Sequence, residues 1–216
     1  MSTKGTGETV KRTRLSPDER RTQLITLGAK MLGERAIEDI SITEIAEQAG
    51  ISRGLLFHYF PTKQDFQLAI VHHANAELLE RVAPDRSLGT FDMLRDSIDR
   101  YIAYVSENRT SYLALLRGPA STSPLLVTLV EETRNAIVGI ILTEAPVPVD
   151  DADRPRLLLA IRGWIAFVEE TTLSWLRDEP ISRHQLVDLL VESLVALALS
   201  LSPALAAALS RVTDIP

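Results

Sequence analysis

The sequence predicts an all-α fold in which a small three-helix head precedes a larger helical body. Three observations lead to it. Apolar residues recur at spacings of three and four through most of the chain, which keeps them on one helical face. Helix starts are marked by Ser-x-x-Glu and Thr-x-x-Asp pairs, and helix stops by glycine or proline. Two stretches near the end, 157–168 and 186–201, are apolar nearly all round and must be covered on more than one side.

Composition narrows the function classes. The 216 residues are 45% hydrophobic and 24% charged, as in a globular protein with ample core. There is no cysteine, which excludes disulfides, thiol catalysis and cysteine-ligated metals. The N-terminus has no apolar signal region. The two apolar stretches are broken by Arg162 and by Asp188 and Glu192, short of the ~20 residues that span a bilayer. A cytoplasmic protein without membrane contact is therefore expected.

No phosphate-cradling glycine loop, nucleophile elbow or serine–histidine–carboxylate spacing points to an enzyme, and no cofactor is expected. His72 and His73, with Glu77 one turn on, lack a third metal ligand, and His184 is isolated, so no metal is expected either. Net charge is −6, but it is unevenly spread: residues 1–65 carry +1 and the remainder −7, and 1–21 alone carry +3. A local basic footprint on an acidic body is compatible with nucleic acid.

In chain order, residues 1–15 form a polar arm without periodicity. It is either an inert tail or a source of phosphate and minor-groove contacts from Lys11, Arg12 and Arg14. Ser16-Pro17-Asp18-Glu19 opens the first helix with a capping box and proline at its first position. Its apolar face is Leu24, Ile25, Gly28, Met31 and Leu32. Ser41 and Glu44 make a second box, so the next helix begins at about Thr43; Gly50 ends it in the left-handed conformation. Ser52 caps a third helix, which Pro61 stops. Ile45, Ala49, Ile51, Leu56 and Phe60 supply a miniature core. The pattern is a helix-turn-helix within a head spanning 16–62.

Gly54, inside the third helix, costs roughly 1 kcal/mol relative to alanine. Two accounts stand on the residues alone: the glycine relieves internal crowding, or the backbone lies against something flat, such as a base-pair edge. Arg53 and Lys63 suit phosphate, and His58 and Tyr59 can donate to phosphate or base edges.

Residues 45–63, with the aromatic run Phe57-His58-Tyr59-Phe60 before Pro61-Thr62-Lys63, resemble the DNA-binding signature of the TetR family of transcriptional regulators. The likeness covers about 16–70, and the rest matches only in length and helical character. It implies a C-terminal helical ligand-binding and dimerisation domain over 63–216, a homodimer, and an inverted-repeat double-stranded DNA operator read in successive major grooves roughly 34–36 Å apart. Arg53, Gly54, His58 and Tyr59 would face the groove, while Ser41, Thr43, Ser52, Phe57 and Lys63 would hold the backbone. Phe57 lacks the hydroxyl that relatives often place there, and Leu55, often small or polar in relatives, touches a thymine methyl or packs inward. The implied function is a repressor released by a small, mostly apolar ligand. The alternative is a constitutive DNA-bound adaptor that recruits a protein partner.

Thr62 and Asp65 box the fourth helix, which joins head to body. After 84–89, helices are expected over Thr90–Glu107, about Arg109–Leu116, and Ser123 to about Thr143, then an acidic loop at 144–155. Helices at about Pro155–Arg177 and Ser182–Ser200 follow, with Pro203 opening a short last one. The two long apolar helices are either a central pair in a monomer or half of a two-fold four-helix interface. In the second case Ala160 and Gly163 permit close approach, and Leu190 and Leu194 lie in the seam. The pairs Tyr101/Tyr104 and Trp164/Phe167 share helix faces and would wall a ligand site, unless they are plain core. Arg117 and Arg162 are candidate anchors for an acid, and Glu169 and Glu170 for a cation; Arg162 pairing with Glu169 is the competing account.

Overall fold

The computed structural model describes residues 15–144 and 150–201, with the side chains of 119 and 120 left aside. The basic residues of the arm, Pro146 and Pro148 of the acidic loop, and the short helix from Pro203 lie outside the described residues. Among those described are α1 (Pro17–Glu34), α2 (Ile42–Ala49), α3 (Arg53–Tyr59), α4 (Lys63–Arg81), α5 (Thr90–Glu107), α6 (Arg109–Arg117), α7 (Pro124–Glu144), α8 (Arg154–Asp178) and α9 (Arg183–Leu201), with 3-10 turns at Ile37–Asp39 and Pro119–Thr122 and no strand.

The head forms because its caps and its apolar face agree. Ser16 accepts from the Glu19 amide and Glu19 reaches back to Ser16, a complete box. The buried face of α1 is Leu24, Ile25, Gly28, Met31 and Leu32, as the spacing predicts. Gly28 is required there: an added Cβ would lie 2.6 Å from Ile70 Cγ1 of α4. Ser41 caps α2, but the box is only half made, because the Glu44 carboxylate turns to Arg35 at 2.9 Å. Gly50 ends α2 at φ 64°. Ile45, Ala49, Leu56 and Phe60 are buried, with Ile51 half-buried against them.

α4 belongs to both halves. Phe66, Ile70 and Val71 are in the head core, while Leu78 is in the body core. Its C-terminal end is held by Arg100 of α5, whose guanidinium donates to the carbonyls of Arg81 and Ala83, groups a helix end leaves unpaired. Tyr104 of α5 donates to the Ala74 carbonyl at 3.1 Å and pins the same helix midway.

The body wraps α8 with α5, α7 and α9. Three of the residues expected in the seam lie on the inner side of the protomer instead. Leu190 is 0% exposed, closed into its own protomer's core, and Leu194 and Ala160 also turn inward. The outward surface of α8 instead carries Leu159 (72% exposed), Gly163, Ala166 and Phe167 (39%), and that of α9 carries Leu189 (44%) and Ala196. Interrupting charges also do not disqualify α9 by composition: it is long and apolar enough to cross a membrane. Its Leu186, Val187, Leu190 and Val191 are buried in the core shared with α5 and α8.

Candidate nucleic-acid interface and buried cavity

A serine caps each helix of the motif, Ser41 on α2 and Ser52 on α3. Ser41 Oγ accepts the Glu44 amide at 3.3 Å and Ser52 Oγ the Leu55 amide at 3.2 Å. Each hydroxyl keeps its own proton for an outside acceptor such as a phosphate oxygen. Arg53, Gly54, Leu55 and His58 are exposed on α3, Thr43 on α2 and Lys63 at the start of α4. Arg53 makes no ion pair with any described residue. Lys63 Nζ donates to the Glu38 carbonyl at 2.8 Å, which steadies the ammonium at the edge of this face with donors to spare.

The geometry bears on Gly54, Leu55, Phe57 and Tyr59 of α3. An alanine Cβ at position 54 would meet only Ser52 Oγ, at 3.9 Å, so nothing inside the protein requires the glycine. Leu55 does not pack inward. Phe57 and Tyr59 are both half-buried against the head core, with the Tyr59 ring edge-on to His58 at 5.6 Å. The fully open part of α3 is thus Arg53, Gly54, Leu55 and His58.

A second site lies in the body. A half-open cavity of about 460 Å³ runs between α4, α5, α6, α7, α8 and α9. Its wall is mostly aliphatic and aromatic, with Leu78, Met93, Ile98, Ile137, Ile161 and Trp164 among the contributors, and the exposed Phe91 lines it from the start of α5. The volume falls in the range of about 300–1,000 Å³ usual for small-molecule sites. Tyr101, Trp164 and Glu169 line it, as the sequence nominates.

The other nominated residues stand elsewhere, for stated reasons. Tyr104 shares a face with Tyr101 but spends its hydroxyl on α4. Phe167 points out of the protomer. Arg117 pairs with Glu170 on the surface, so neither is an anchor in the cavity. Arg162 bonds Asn135 and Glu131 rather than Glu169. Glu169 is taken by Arg134, which also reaches Glu131 at 2.7 Å. The Glu169 and Glu131 carboxylates hold the Arg134 guanidinium even more firmly protonated than usual, and Arg134 and then Arg162 hold Glu131 below the usual carboxylate range.

Among the polar cavity residues that spacing missed are Arg134, Tyr112 and Ser97. Arg134 is recognisable only through Glu169, 35 positions away on another helix. Tyr112, on the short α6, is drawn in by a 3.0 Å bond between its hydroxyl and that of Tyr101. Ser97 is the one whose signal was available, since it lies one turn before Tyr101 on α5. Among the described residues, no three His, Asp or Glu side chains gather as a metal site.

Comparison with known proteins bears on both sites. Residues 24–70 match the family described as bacterial regulatory proteins, tetR family, and residues 91–197 match the tetracyclin repressor-like C-terminal domain. A tetR-family transcriptional regulator from Streptomyces coelicolor is 34% identical, with 94% of this chain and 92% of that one aligned at a TM-score of 0.78. The HTH-type transcriptional activator FasR of Mycolicibacterium smegmatis is 24% identical over 182 residues, 81% of each chain. The fold is also that of the regulator FadR from Bacillus subtilis in complex with stearoyl-CoA, at 16% identity, coverage of 79% and 95%, and a TM-score of 0.60.

Proposed function

We propose, from the premise that this chain belongs to the TetR family and is a DNA-binding transcriptional regulator, that it works as a homodimeric repressor in the cytoplasm. A small, mostly apolar ligand releases it from an inverted-repeat operator. The observation that carries the reading is the sharing of helices between cavity and head. Asn75 and Leu78 of α4, with Val82 just past its end, line the cavity, while Phe66 and Ile70 of the same helix lie in the head core. On α7, Leu126 and Leu129 enter the head core and Val130 and Arg134 face the cavity. Asn75 ties the two helices through the Leu129 carbonyl at 3.4 Å. A ligand that spreads this wall moves the seat of the head, and so the separation of two heads in a dimer. It lowers DNA affinity only by as much as it prefers the non-binding separation.

That a regulator of the same fold, FadR of B. subtilis, is named in complex with stearoyl-CoA is in keeping with a ligand-responsive body. A constitutive adaptor has no use for such a cavity. Arg53, Gly54, His58 and Tyr59 read the groove in this account, with Ser41, Thr43, Ser52, Phe57 and Lys63 on the backbone. Lys63→Ala is expected to weaken binding on all sequences alike and to flatten its salt dependence by about one unit. The decisive experiment is a thermal-stabilisation screen of hydrophobic neutral compounds, acids and amines, with each hit then tested for release of a selected operator. If no stabilising compound releases DNA, the switch is wrong and the adaptor stands.

A further inference from the structure

We propose that the ligand is an apolar chain or ring bearing one uncharged hydrogen-bond acceptor, the carbonyl of an ester, lactone, ketone or amide, held by the Tyr101–Tyr112 pair. The proposal rests on the ligand-responsive reading above and names the chemistry of its site.

The charges in and behind the cavity wall are already matched. Arg134 donates to both Glu169 oxygens, at 3.0 and 2.6 Å, and to Glu131 at 2.7 Å, and Arg162 completes Glu131 at 3.2 Å. Two cations thus meet two carboxylates. Glu144, the remaining charged side chain in the wall, is held by Arg86 at 2.6 Å. An entering carboxylate finds no cation of its own and must either displace Glu169 or stay unpaired in an apolar space, and an ammonium faces the same choice against Arg134.

The phenol protons, by contrast, are not all spent. The two phenols share one 3.0 Å bond, so whichever donates, one O–H is unspent. Burial pushes both phenols above the ordinary tyrosine range, so both remain donors. Neighbouring polar groups are already used: Trp164 Nε1 donates to the Leu190 carbonyl and Ser193, and Thr133 to the Leu129 carbonyl. The unspent phenol proton seeks an acceptor, and Ser97, one turn away on the wall, adds a second neutral hydroxyl.

The test uses the full chain with methyl decanoate, decanoate, decylamine and decane as probes, by calorimetry at pH 7.5, on wild type and on Tyr101→Phe/Tyr112→Phe. Replacing both partners of a hydrogen bond by apolar groups of the same shape leaves the fold nearly neutral, so the variant is informative. The ester is expected to bind at least about tenfold more tightly than decanoate or decylamine. The double variant is expected to reduce the ester's advantage over decane by about three- to tenfold. Decanoate should gain affinity as pH falls toward its own pKa while the ester stays flat. Equal or tighter binding of decanoate at pH 7.5, an undiminished ester advantage in the double variant, or no binding by any probe would each overturn the assignment. An ester that binds as expected but leaves the operator complex intact supports the ligand class and counts against the release mechanism instead.

Discussion

Gly54 concentrates the tension between stability and contact in one residue. The space around it admits a methyl group, yet the helix carries the weakest ordinary helix former. Gly54→Ala is therefore expected to raise the unfolding free energy by about 0.5–1 kcal/mol while weakening operator binding. Denaturant titration and a binding isotherm on the same variant check both halves, and a variant that is both more stable and binds normally refutes the placement. The buried phenols make a second prediction. Burial pushes Tyr104 up to about 12, and Tyr101 and Tyr112 in the same direction. Between about pH 10 and 12 the unfolded chain has released these protons and the folded chain has not, so the unfolded state binds fewer. Stability should fall with rising pH across that window, read as a falling urea midpoint, and Tyr104→Phe should flatten the fall. A midpoint constant from pH 9 to 12 contradicts it. At this scale the sequence shows Tyr101 and Trp164 through their spacing. It hides Arg134, because an ion pair between helices leaves no periodic trace.

At the scale of elements, α4 is the helix that both cores share. Its closeness to α1 depends on Gly28, whose missing side chain makes room for the buried Ile70. Gly28→Ala should gain helix propensity but overpack the crossing, for a net loss of about 1–2 kcal/mol. Adding Ile70→Val should recover part of that loss; a Gly28→Ala protein as stable as wild type contradicts the crossing. Helix starts and stops were the most legible feature, because a cap is a local event: Ser16, Ser52, Thr62 and Gly50 all act where their neighbours in sequence say they should. Glu44 departs from its pattern because Arg35, nine positions back, offers a stronger partner than an amide. The inward turn of Leu190, Leu194 and Ala160 was hidden by α8 and α9 being apolar nearly all round, which leaves no polar stripe to mark the outside.

For the whole molecule, that same all-round apolarity is what a second copy would cover. The exposed Leu159 and Phe167 on α8 and Leu189 on α9, beside the small Gly163 and Ala166, form the surface we assign to the two-fold contact. Leu190→Glu buries a charge in the protomer core and should unfold the chain, whereas Phe167→Glu and Leu189→Glu should yield folded monomers in sedimentation. Persistence of the dimer in both surface variants would move the interface elsewhere. Monomers should lose tight operator binding, since one head makes few contacts. The most direct test of a dimeric, operator-reading regulator is therefore a footprint on DNA selected in vitro from random sequence. Two protected half-sites in inverted repeat, about 34–36 Å apart and bound by two protomers, are predicted. A single half-site bound by one protomer, or no preferred sequence at all, would contradict the account.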